Sequence, residues 1–189
     1  QGGDRVAAVD CDLRRPTLHE RFGLPPTPGF TDVLLGDVPL STALRRYEGS
    51  MMVLPAGSHA PNPSELLSSG RAASVIAALA EEFDIVVIDT TPVLPVTDSL
   101  VVSRLVDATL VVVDAQSTRR NSLRRTLQLL EQVGAPTLGV VLNGVAGDSA
   151  YGYAYGYGYG YSAPYTSSRE GDDGRGRRAR GAKEPQPTG

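Results

Sequence analysis

The 189-residue sequence predicts an α/β fold, a mostly parallel sheet flanked by helices. Three observations carry this reading. Short apolar runs rich in β-branched residues recur at Val6–Asp10, Asp84–Asp89, Ala108–Asp114 and Leu138–Asn143. None alternates apolar with polar residues, which is the pattern of strands covered on both faces of a parallel sheet. Stretches of helical period lie between them, and strands alternating with helices form βαβ units.

The first strand follows Gln1 by only five residues, and the chain does not open on Met. We read it as a piece of a longer protein, so the sheet is expected to be incomplete on its N-terminal side. Met51–Leu54 is a weaker fifth strand. Ser64–Glu82 reads as one helix, with Leu66, Leu67, Val75, Ile76 and Leu79 on its period and Ser64 as N-cap. Asn121–Val133 places Leu123, Leu127, Leu130 and Val133 on one face. Gly134 and Pro136 stop it. This domain is expected to span residues 1–146. A tyrosine-rich segment follows over 147–166, with seven of the eight tyrosines of the chain. Residues 167–189 contain no Val, Ile, Leu, Met or Phe and carry a net charge of +2, so they are expected to be disordered.

Composition narrows the function classes. At 41% hydrophobic residues the chain can bury a core, and its net charge of −3 argues against a nucleic-acid binder. The single cysteine, Cys11, excludes an internal disulfide and is expected to be inert. No apolar run approaches the roughly 20 residues of a membrane helix, and no signal peptide is expected. A cytoplasmic location is expected.

Three strands end in a polar residue, Asp10, Asp89 and Asn143, at the edge where open α/β sheets bind ligands. A lone Asp at a strand end ordinarily caps a turn, but three such ends point to a site. Val9–Pro16 reads VDCDLRRP. Asp10 and Asp12 are oxygen ligands suited to a hard cation such as Mg²⁺, and Arg14 and Arg15 suit phosphate. Asp89 closes an apolar strand in the Walker-B manner, with its carboxylate reaching Mg²⁺. Asp98 is expected to open the next helix, its carboxylate complementing the free N–H groups there. His19 and His59 lack neighbouring ligands, and PNPSELL at 61–67 reads as a loop and helix start. The tyrosines have no interleaved cations, so a base-stacking role is disfavoured. As phenol hydroxyls on a flexible tail they suit phosphorylation, each phosphate adding roughly −1.5 to −2 charges.

VDCDLRRP resembles the Walker A′ motif of the bacterial tyrosine kinases of capsule and exopolysaccharide synthesis. FDIVVIDTTPVLPVTDS at 83–99 resembles their Walker B segment, PNPSELL a stretch between the two, and the tyrosine cluster their autophosphorylation tail. The resemblance implies a P-loop NTPase-like fold of the MinD/ParA type, and ATP-dependent transfer to tyrosine with ATP and Mg²⁺ as cofactors. Asp10, Asp12 and Asp89 carry over as the magnesium-holding and catalytic acids. One Walker A′ acid would draw the proton from the tyrosine hydroxyl, whose pKa of about 10 calls for a base. Asn143 resembles the adenine-contacting position. The acceptors would be Tyr151, Tyr153, Tyr155, Tyr157, Tyr159, Tyr161 and Tyr165 of a neighbouring subunit in a ring. Implied partners are a membrane-bound co-polymerase or activator domain and a tyrosine phosphatase, at the inner face of the cell membrane. One departure is large. No GxxxxGK[ST] occurs, and the single lysine is Lys183. These residues alone are therefore expected to be inactive. Two other readings stay open: a MinD/ParA-like ATPase, and a non-catalytic regulatory subunit of an export complex.

Overall fold

The computed structural model of the chain describes residues 4–145. The tyrosine segment and the charged tail lie outside the described residues, as does the expected domain boundary at 146. In chain order the elements are β1 (Val6–Asp10), α1 (Leu18–Arg21), α2 (Phe30–Leu35), α3 (Leu40–Ala43), β2 (Arg45–Arg46), β3 (Met52–Leu54), α4 (Pro63–Leu67), α5 (Gly70–Glu82), β4 (Ile85–Asp89), α6 (Asp98–Val102), β5 (Thr109–Asp114), α7 (Arg120–Gln132) and β6 (Thr137–Asn143). All five expected strands form.

The strands fall into two sheets. One has the order β2-β3-β1-β4, and β5 pairs with β6 in the other. β1 runs parallel to both β3 and β4, and β5 is parallel to β6. Only the two-residue β2 is antiparallel. β1 sits centrally and is buried from Ala7 onward, as its unbroken apolar run requires. Coverage on both faces fails for β4, β5 and β6. β4 pairs only with β1, and Ile85 and Val87 stay 47% and 57% exposed. Exposed and half-buried residues alternate along β4, so the face that carries Ile85 and Val87 lacks a covering layer among the described residues.

The helix expected over Ser64–Glu82 is two helices. Ser68 and Ser69 interrupt it, and Ser69, not Ser64, caps α5 by accepting the Ala72 N–H at 3.2 Å. Leu79 of α5 is fully buried in the main core, with Phe30, Leu54 and Leu67. A smaller cluster forms where α7 covers β5, around Val111, Val113 and Leu130. α6 serves both, with Leu100 against the smaller cluster and Val102 in the larger.

α2 is anchored from outside itself. Asp32 accepts the N–H groups of Gly29 at 2.7 Å and Ser58 at 3.2 Å. Phe30 and Thr31 donate to the carbonyls of Pro55 and Ala56. The backbones meet so closely that a Cβ on Gly57, where φ is +90°, would lie 2.6 Å from Asp32 Oδ2.

Candidate active site

Parallel pairing of β1 with β4 places Val6 opposite Ile85 and, four rungs on, Asp10 opposite Asp89. Two carboxylates therefore close adjacent strands at the carboxyl edge of the sheet. The Cys11 N–H donates to the Asp89 carbonyl at 2.8 Å and extends the ladder one residue further. Asp12 follows immediately.

The three acids differ in environment. Asp10 is fully buried, and both of its oxygens accept backbone N–H groups: Oδ1 from Asp12 at 3.1 Å, Oδ2 from Leu18 at 3.0 Å. It thereby shapes the loop after β1 and caps α1 from eight residues away. Burial pushes its carboxyl above the ordinary range. The Leu18 and Asp12 amides pull it back, and the charges of Asp89 and Asp12 push it further up. Asp12 Oδ1 accepts from the Arg14 and Arg15 N–H groups at 3.2 and 2.9 Å. Its Oδ2 has no donor among the described residues. Asp89 lies at the open side of the cluster. Its carboxyl is also raised, first by partial desolvation and then by Asp12, with the Thr90 N–H opposing. Cys11 is fully buried, and that burial pushes its thiol up, as an inert cysteine requires.

Like charges that raise one another are short of a cation. No three metal-ligating side chains close on one point among the described residues, and Asp10 spends both oxygens on amides. Magnesium ordinarily takes one or two carboxylates and completes its shell with water and phosphate oxygens. Asp12 and Asp89 fit that requirement, with Asp10 behind them. The phosphate chain of a nucleotide finds no such fit, since residues 1–189 contain no GxxxxGK[ST].

The two arginines expected to grip phosphate part company. Arg14 is engaged elsewhere. Its Nε donates to Asp98 Oδ2 at 2.6 Å, and its Nη2 donates to Asp98 Oδ1 at 3.1 Å and Ser64 Oγ at 2.9 Å. The Arg15 side chain stays exposed and free for an anion. Asp98 opens α6 as expected, but it is 1% exposed and its carboxylate faces Arg14 and Ser64. Desolvation raises its pKa, yet those partners hold it below the ordinary value. Shallow cavities of about 240 and 400 Å³ flank Arg14, lined by His59 and by Pro61–Glu65, rather than the carboxylates.

Asn143 ends β6 and accepts the Gly144 N–H at 2.9 Å through its own side chain. It pairs with Asp114, and no strand pairing or hydrogen bond joins it to the carboxylates among the described residues. Sequence reading passed over Asp114, although it closes β5 by the same rule that singled out Asp10 and Asp89. Its carboxylate is held low by the Ser117 hydroxyl and the Gln116 N–H. The seven tyrosines lie outside the described residues.

No protein-family model matches the chain. The structure is similar to MinD of Pyrococcus horikoshii complexed with Mg-ADP, with a TM-score of 0.61 at 22% identity over 74% of this chain and 58% of that one. That likeness shows the fold: a MinD-type α/β architecture. Closer relatives narrow it. The tyrosine-protein kinase ptk of Acinetobacter johnsonii is 42% identical over 173 residues, 91% of this chain and 24% of its own length. CapB of Staphylococcus aureus, a tyrosine-protein kinase by name, is 35% identical over 81% of this chain and 68% of its own. The kinase domain of the Escherichia coli tyrosine kinase Etk superposes with a TM-score of 0.75 at 33% identity, over 82% of this chain and 61% of that one. The chain belongs to the bacterial tyrosine kinase family. It spans about a quarter of the length of the ptk relative and about two thirds of CapB.

Proposed function

We propose that the protein works as an ATP-dependent tyrosine autokinase controlling capsule or exopolysaccharide synthesis, and that this chain supplies its cation site and its acceptor tail. The observation that carries the reading is the paired ladder end, Asp10 opposite Asp89 with Asp12 beside them, in a chain of this family. A bound magnesium ion would neutralise charge on a transferring phosphoryl group. Asp12 and Asp89 hold it. Asp12 Oδ2, which has no donor among the described residues, would accept the phenol proton. Asp10 fixes the loop that presents Asp12. Arg15 is the arginine left to meet phosphate, and Asn143 is the candidate adenine contact. Tyr151 to Tyr161 and Tyr165 receive phosphate from a neighbouring subunit in a ring, and a phosphatase resets them.

Among the described residues no helix is long and apolar enough to cross a membrane. A membrane co-polymerase or activator, fused or separate, would bring the kinase to the inner face of the membrane. The test is phosphotyrosine mapping by mass spectrometry in cells producing the full-length protein. Modified tyrosines between 151 and 165, lost on Asp12→Asn or Asp89→Asn, are expected. An unmodified tail in cells that make polysaccharide would overturn the reading and favour a MinD-like ATPase.

A further inference from the structure

We propose that Arg14, Asp98 and Ser64 form a positioning clasp that locks together the two carboxylate-bearing loops and so aims Asp12. The proposal rests on the reading of Asp12 and Asp89 as cation ligands. Three separate segments meet at one guanidinium. Arg14 lies in the loop after β1, two residues beyond Asp12. Asp98 lies nine residues beyond Asp89, at the start of α6, and Ser64 lies in the first turn of α4. The contact is two-pronged, Nε to Oδ2 at 2.6 Å and Nη2 to Oδ1 at 3.1 Å, with Ser64 closing a triangle by accepting from Arg14 Nη2 and donating to Asp98 Oδ1.

The planar fork of arginine suits this geometry, and a lysine ammonium would not reproduce it. Asp98 is 1% exposed, so it needs a fixed partner, and removing that partner would leave a buried charge. The link to Asp12 is covalent and short. The Arg14 and Arg15 N–H groups both bind Asp12 Oδ1, so fixing the Arg14 side chain fixes the amides that orient the carboxylate and turn Oδ2 outward. Asp12 has no other side-chain or backbone donor among the described residues, unlike Asp10, which is held from both sides by Asp12 and Leu18. Its aim therefore depends on the loop, and the loop depends on the clasp.

The experiment uses the full-length protein with Arg14→Lys, Asp98→Asn and Ser64→Ala. Two quantities are read: affinity for Mn²⁺ alone, by the electron-paramagnetic-resonance signal of the free ion, and hydrogen exchange at the Arg14 and Arg15 amides against those of Ala8 and Val9. The clasp predicts Mn²⁺ affinity lowered about tenfold by Arg14→Lys and Asp98→Asn, and about threefold by Ser64→Ala. The Arg14/Asp98 double variant should lose no more than either single one. Exchange should quicken at residues 14 and 15 and hold at 8 and 9. Parental Mn²⁺ affinity in variants that melt earlier would assign the triangle to stability alone and overturn the proposal. Should the two charged variants fail to fold, Ser64→Ala decides, since it removes one hydroxyl and leaves the ion pair. Asp12→Asn serves as control: if it binds Mn²⁺ like the parent, the cation reading itself fails, whatever the clasp variants do.

Discussion

Replacing Asp10 with alanine separates loop-building from chemistry. The side chain is fully buried and accepts two N–H groups, from Asp12 and Leu18, at 3.1 and 3.0 Å. Alanine leaves both donors without a partner, at about 1–3 kcal/mol for each buried donor. Both sites are only partly buried, so water recovers some of that, and about 1–1.5 kcal/mol each is the better figure. Loss of the charge acts the other way, because Asp89 and Asp12 repel it and burial disfavours it. The net expectation is a destabilisation of about 1–3 kcal/mol. For a domain of this size that lowers the melting temperature by about 3–10 °C. Asp12→Ala is the contrast. The two amides it frees, of Arg14 and Arg15, are exposed to water, and its cost should stay below about 1 kcal/mol. Urea unfolding at pH 7, followed by circular dichroism, measures both. If Asp10→Ala unfolds within about 0.5 kcal/mol of the parent, below the lower bound of the expected loss, Asp10 does not order the loop, and the division of labour among the three acids is wrong.

Three further outcomes are expected. Asp89→Asn should raise stability while weakening divalent-cation binding. The raised folded pKa means that the native carboxyl holds its proton more tightly than the unfolded one does, so the parent loses stability as pH rises from about 3.8 through the folded value. The gain should therefore be absent near pH 3 and complete at neutral pH, and pH-dependent melting checks it; a constant offset would contradict the cause assigned. Gly57→Ala drives a Cβ to within 2.6 Å of Asp32 Oδ2 at a φ of +90°, and should cost about 1–3 kcal/mol, measured by denaturant midpoint. Leu79→Ala, in the fully buried heart of α5, should cost about 2–5 kcal/mol. Calorimetry reads the loss, and a value under about 1 kcal/mol would mean that α5 is not packed as described.

The strands were legible because their signal is local. VAAVD and IVVID carry enough apolar, β-branched residues to be recognised singly, and the acids closing them are visible at the same glance. The break at Ser68 and Ser69 was also written in polar residues, with a glycine directly after them, but the apolar period on either side masked it. α1 and α2 were not legible because each is short and held from outside: α1 by Asp10, α2 by the Pro55 and Ala56 carbonyls and the Ser58 N–H. The partner of Arg14 lies 84 residues away. From the sequence alone, that arginine next to a pair of acids looked like a phosphate ligand, and nothing nearby showed that Asp98 would take it. Exposure of β4 was hidden for the opposite reason, since an apolar run predicts a covering neighbour and cannot say whether one is present.

The β1–β4 ladder works as a ruler for the acids. Because strand side chains alternate, sliding either strand by a single residue would turn one aspartate to the far face of the sheet. Inserting or deleting one residue within Val6–Asp10 or Ile85–Asp89 should thus abolish the pair even where the fold survives. The count of residues along two strands, and not their composition alone, thus decides whether the acids meet.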